Sequence, residues 1–251
     1  MVRNCVACNP PSGLRVALVV LSLGKLQSTK IDMRTPQPEG TRGSLKWIQR
    51  AVNERWASLE QPILDATDAA AIRWTSPLAE DDFSEYRDGG FLDVVGRPAL
   101  RDALKSFWPA RGPQWDALAV TSGGDVLLVE AKAHIAEMCS PGTAASAISR
   151  ARIEATLDEV ASRLGAKSGR ASWCDHFYQL ANRIAHLDFL RRNGVPAWLI
   201  LVNFVGDHEM AGPETEEAWE AACQVAFHVM GLGRRHRLSP YILHVYPRVS
   251  D

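Results

Sequence analysis

Along residues 44–62 the apolar positions return every three or four residues, at Leu45, Ile48, Val52, Trp56 and Leu59. Ser44 stands where an N-cap would and Pro62 where a helix would stop, so the spacing predicts an amphipathic first helix. A short extended piece, "AIRWTSPL", follows, and residues 80–113 form a mixed segment with several acidic residues, Trp108 and room for one or two short helices. The period then falls to that of a strand in "QWDALAVT" and "DVLLVEAKA", joined at Ser122-Gly123-Gly124. Glycines at that point suit a tight turn, and the two strands are expected to pair antiparallel.

Beyond a Ser-Pro-Gly-Thr loop, helical spacing resumes at Ile153, Leu157, Val160 and Leu164, and Gly165 ends it. A third helix runs from a cap at Asp175 to about Gly194. "AWLILVNFV", residues 197–205, is almost continuously apolar, as a central strand covered on both faces must be. Glu214, Glu216 and Glu217 open a further helix that Gly231 or Gly233 closes, and "PYILHVYP" reads as a last strand. The order implies an α/β protein with a mixed central β-sheet flanked by helices.

The first 43 residues fit this pattern poorly. "LRVALVVLSLG", residues 14–24, is too short to span a bilayer, although two upstream arginines lend it a faint resemblance to a signal peptide. An extra strand or an extension ahead of the domain are the alternatives. "STKIDMRTPQPEGTRGS" reads as a linker, so residues 1–43 are taken as a poorly ordered extension and 44–251 as a single domain.

Charge changes the picture by exclusion. Lysine and arginine total 28 against 29 acidic residues, so there is no global basic field of the kind that coats nucleic acid, although a local basic groove is compatible with the balance. Arg234, Arg235, His236 and Arg237 form a local basic run whose simplest reading is a solvated loop. Five cysteines in a chain of 251 residues point to a reducing cytoplasm rather than a disulfide framework. Cys5 and Cys8 have zinc-ligand spacing, but no second pair completes a tetrahedral site. A G-x-S-x-G elbow, a P-loop and an H-E-x-x-H helix are all absent from the sequence.

The candidate chemistry lies on the hairpin. Glu130 and Lys132 are two residues apart at the end of an apolar strand and so project from the same face. Asp116 is seven residues before Gly123 and Glu130 seven after it, which sets the two carboxylates nearly opposite each other across the pair. Facing residues in such a pair stand about 5 Å apart at Cβ, close enough to share one divalent cation. Mg²⁺ takes one or two carboxylates plus water and substrate phosphate, and Asp116, Glu130 and the Ala131 carbonyl can supply the protein share. Lys132 can orient or help deprotonate a bound water and offset charge building on phosphorus. His134 continues the same alternation and is a candidate for substrate contact.

Asp116 with Glu130-Ala131-Lys132, on a helix, hairpin, helix and strand frame, resembles the PD-(D/E)XK nuclease superfamily of restriction-endonuclease-like fold. The likeness spans roughly residues 44–204. Trp115 stands where the family's name would put a proline, and Pro113 lies two residues earlier. The resemblance implies a Mg²⁺- or Mn²⁺-dependent nuclease, with Asp116 and Glu130 as metal ligands and Lys132 as the catalytic lysine. DNA is then the favoured partner over RNA, a membrane is not expected, and a homodimer is allowed.

In this superfamily the first helix often adds an acidic ligand, here Glu54. At 100° per residue Glu54 lies opposite the Leu45-Ile48-Val52-Trp56 stripe, though Trp47 and Ala51 share its side. In several members a glutamine on the helix after the E-x-K strand looks into the active site, which points to Gln179. Arg183 stands where the family's aromatic partner of that glutamine would be. Gln179, Asn182 and His186 form a polar stripe on that helix that would ordinarily face water. The alternative to an enzyme is an inactive nuclease-fold module that binds or interacts without turnover.

Overall fold

The computed structural model describes residues 33–167, 172–233 and 235–249. Cys5, Cys8, the apolar run at 14–24 and Arg234 lie outside the described residues. The chain enters through strand β1 (Arg34–Thr35), helix α1 (Gly43–Asn53), helix α2 (Ala57–Thr67), strand β2 (Ile72–Ser76) and strand β3 (Glu85–Tyr86). Helices α3 (Asp88–Val94) and α4 (Arg101–Phe107) precede strands β4 (Ala117–Thr121) and β5 (Val126–Lys132). Helices α5 (Ala147–Arg163) and α6 (Tyr178–Arg192), strand β6 (Ala197–Asn203), helix α7 (Glu216–Val229) and strand β7 (Ile242–Val245) complete the order.

Strands β2, β4, β5, β6 and β7 form one sheet in that spatial order. β2, β4 and β5 run antiparallel, and β5, β6 and β7 run parallel, as their helical crossovers require. The protein is therefore α/β with a mixed central sheet flanked by helices. Gly124, at φ +88°, takes the left-handed turn position that a side chain would strain, and Thr121 closes the turn through its contacts with Asp125.

Both faces of the sheet are covered. Ala117, Ala119, Leu127, Val129, Ile200 and Val202 meet Trp47, Ile48, Val52, Leu59 and Ile63 of α1 and α2. Leu118, Val126, Leu128, Leu199 and Leu201 face the opposite way, into a second core built by α3 to α7. Alternation along β5 therefore places Glu130 and Lys132 on the α5–α6 side and Ala131 on the α1 side.

Three local readings change in the tertiary structure. The first predicted helix is two helices: at Arg55, φ +58°, the chain leaves α1, and Pro62 lies inside α2 rather than ending it. Residues 33–43, expected as linker, are packed, with β1 paired to β3 and Gln49 holding the Pro38 carbonyl and the Gly40 N–H. Ser44 and Asp175 are not caps. Ser44 lies in the first turn of α1 and donates to Glu137, while Asp175 accepts from Arg150 in a π turn ahead of α6.

Helix α6 is the element that most departs from its pattern. Every residue from Ala181 to Leu190 is buried, so Asn182 and His186 face protein rather than water. Leaving such groups unpaired would cost about 1–3 kcal/mol each, so a helix buried all round must satisfy them internally.

Candidate active site

Ala117 pairs with Val129, so Asp116 falls opposite Glu130, the register expected from the position of the turn. Tyr86 bridges Trp115 in the antiparallel sense, which extends the row by one chain and sets Glu85 opposite Asp116. Three carboxylates, Glu85, Asp116 and Glu130, therefore stand in register across adjacent strands. Facing side chains in such rows are about 5 Å apart at Cβ. Repulsion at that spacing requires compensating cations.

Two are present. Lys132 Nζ donates to Glu130 Oε1 at 2.5 Å and to the Gln179 side-chain oxygen at 3.2 Å. Arg183 Nε donates to Glu130 Oε2, also at 2.5 Å. The guanidinium is held further by the Gln114 carbonyl at 2.7 Å, by the Asn182 side-chain oxygen at 2.9 Å and by the Trp115 ring, whose centre is 4.8 Å away. Both oxygens of Glu130 are thus engaged by cations.

Asp116 is placed differently. Its Oδ2 accepts from the Ala131 N–H at 2.7 Å, and its other oxygen accepts no hydrogen bond among the described residues. Burial, and then the neighbouring Glu130, push its carboxyl up to about 8, more than Lys132 can offset. Burial also acts to raise Glu130, but Arg183 and then Lys132 outweigh it and hold that carboxyl low. Lys132 behaves in the complementary way: burial favours its neutral form, yet Glu130 and Asp116 prevail and raise its pKa. At neutral pH Lys132 is an ammonium. Glu85 is raised by burial, with Gln114 and Gln37 donating to its carboxylate.

The cluster opens into a hollow of about 30 Å³, lined by Glu130, Lys132, Gln179, Leu201, Asn203 and Phe227 among others. That space suits one or two water-sized occupants. Leu201 and Asn203 reach it because β6 pairs them with Glu130 and Lys132.

The other predicted residues are distributed unequally. Gln179 meets Lys132, and its backbone N–H is fixed by the Ser140 hydroxyl at 2.9 Å. His134 does not line the Lys132 hollow. It borders a separate hollow of about 360 Å³ with Ile135, Met210 and Pro213, and its ring is 3.6 Å from Glu137. Glu54 is not brought to the cluster either. It is exposed at the end of α1, on the opposite side of the sheet, and accepts from Trp56 Nε1 at 2.9 Å. Helix α1 packs on the face of the sheet away from Glu130 and Lys132, so Glu54 is not brought to them. The third carboxylate is Glu85, which no periodicity marks because it sits in a two-residue strand. Arg183, visible in the sequence only as a missing aromatic residue, is the other member that sequence reasoning passed over.

No group of three or more His, Cys, Asp or Glu side chains among the described residues is arranged to hold a metal ion. Among the described residues no helix is long and apolar enough to cross a membrane. No family model, curated protein or solved structure compared with the chain matches it.

Proposed function

We propose that the chain is a metal-dependent phosphodiester hydrolase, a nuclease with DNA as its first candidate substrate. The observation that carries this reading is the register of Asp116 with Glu130, with Lys132 bonded to the same carboxylate. The frame supports it as well: helix α1, the antiparallel β4–β5 hairpin, helices α5 and α6 and strand β6 follow in the helix, hairpin, helix and strand order on which the PD-(D/E)XK resemblance rests.

The donor set fits a hard divalent cation. Asp116 has an oxygen without a hydrogen-bond partner among the described residues, and its pKa is raised by burial and then by the neighbouring Glu130, both of which a bound cation would offset. Asp116, one oxygen of Glu130 and the Ala131 carbonyl would hold Mg²⁺ or Mn²⁺, with water and substrate phosphate completing six oxygens. A bound ion of this kind supplies an activated water and withdraws charge from the phosphoryl oxygens. Lys132, as an ammonium, contributes fixed positive charge where negative charge develops on phosphorus, and Gln179 keeps its Nζ in place.

A second reading is an inactive module that binds without turnover, and one observation favours it. Glu130 is already satisfied by Lys132 and Arg183, so its charge is compensated without a metal. A cleavage panel of linear, circular and single-stranded DNA and RNA with Mg²⁺ or Mn²⁺ separates the two. The nuclease reading expects cutting by wild type that disappears in Lys132→Ala while the fold persists. Undiminished cutting by Lys132→Ala refutes it. Absence of cutting by wild type, together with Mn²⁺ binding that does not depend on Asp116, favours the module.

A further inference from the structure

We propose that Arg183 is a resident cation that limits the carboxylate cluster to a single, weakly held divalent ion. This inference rests on the metal-dependent reading above and adds a positioning residue to it.

The guanidinium has no freedom to leave. Its Nε, Nη1 and Nη2 each donate to a different acceptor, Glu130, Asn182 and the Gln114 carbonyl, and one face lies on Trp115. The residue is 5% exposed. An arginine does not deprotonate in a protein, so this charge is not vacated. One oxygen of Glu130 is therefore occupied permanently, and the carboxylate is oriented before any ion arrives.

The consequence follows from charge. With the carboxylates ionised, as an arriving cation would leave them, Glu85, Asp116 and Glu130 oppose Lys132 and Arg183, a formal balance of one negative charge; without Arg183 it would be two. Attraction for a divalent ion scales with that balance and is strong where water is scarce. Arg183 thus weakens metal binding while fixing the geometry of a ligand. A residue that only held the fold together would have the opposite effect, because its loss would loosen the ligands and weaken binding.

The test is calorimetric titration of Mn²⁺ into the full chain as wild type, Arg183→Gln, Arg183→Lys and Asp116→Asn, with thermal unfolding run in parallel. Glutamine keeps a donor for Glu130 and removes the charge; lysine keeps the charge. Wild type is expected to take one ion, and Arg183→Gln to bind about tenfold or more tightly. Arg183→Lys is expected to stay within about threefold of wild type, since its charge is retained.

A folded Arg183→Gln variant that binds no more tightly than wild type overturns the inference. So does a stoichiometry of two ions in wild type, a result that needs no variant to fold. If wild type binds Mn²⁺ in an Asp116-dependent way and either of these results is found, only the role of Arg183 falls. If neither wild type nor the folded variants bind Mn²⁺, the metal-dependent reading falls and takes this inference with it.

Discussion

His186 is expected to make the α6 side of the site acid-labile. The residue is 1% exposed, and its ring is enclosed by Phe91, Phe107, Trp108 and Trp115, with ring centroids 5.1–6.2 Å away. Its Nδ1 is 2.8 Å from the Asn182 carbonyl, which assigns that nitrogen as the donor. Burial lowers its pKa to about 3, with Arg183 adding to the effect and the Asn182 bond opposing it. The unfolded chain takes up the proton near 6.5, the folded one only near 3. The stability contributed by a neutral His186 is therefore complete above 6.5 and is lost as pH falls through that window. At about 1.4 kcal/mol per pH unit, moving from pH 7 to pH 4.5 should cost about 2.5 kcal/mol from this residue alone. That is a sizeable share of the roughly 5–15 kcal/mol of a typical domain.

The assay is urea unfolding, followed by tryptophan fluorescence, of wild type and His186→Phe at both pH values. Carboxylates common to both proteins cancel in the difference, and the variant should lose about 2 to 3 kcal/mol less than wild type on acidification. Equal acid losses, within about 0.5 kcal/mol, would refute the reasoning. The effect bears on the site because Trp115 forms a wall of this box and also carries the Arg183 guanidinium. Charging His186 should unseat both.

Further outcomes follow from the same geometry. Folded Asp116 holds a proton up to about 8, where an unfolded aspartate releases it near 3.8, so this residue's contribution to stability declines as pH rises across that interval. Asp116→Asn should accordingly gain thermal stability relative to wild type as pH is raised toward 8, and a gap between the two melting curves that ignores pH would contradict the assignment. A cation must displace the same proton, so Mn²⁺ affinity of wild type should strengthen with pH up to about 8; affinity that stays flat between pH 6 and 8 would argue against Asp116 as a ligand. Glu54→Gln should leave Mn²⁺ binding and any cleavage unchanged, because Glu54 is exposed on the other side of the sheet. A tenfold loss of either would return Glu54 to the site.

What the sequence determined by itself is whatever short-range periodicity and turn chemistry can carry. The Ser122-Gly123-Gly124 turn sets the hairpin register, and the register alone brings Asp116 opposite Glu130. Alternation sends Glu130 and Lys132 to one face, and the almost continuously apolar run at 197–205 reads as a covered central strand, which β6 is over 197–203. What only the tertiary structure decided depends on partners distant along the chain. Glu85 joins the row because a two-residue strand, stabilised by residues that read as a linker, bridges to Trp115. Arg183, on a helix whose polar stripe looks solvent-facing, turns inward because α6 is covered on all sides and Glu130 needs a second cation. Glu54 leaves the candidate set because α1 packs on the face of the sheet away from Glu130 and Lys132. Periodicity states which residues share a face, but not what will cover that face. Burial and charge balance, which depend on the whole fold, settle which polar groups on it meet.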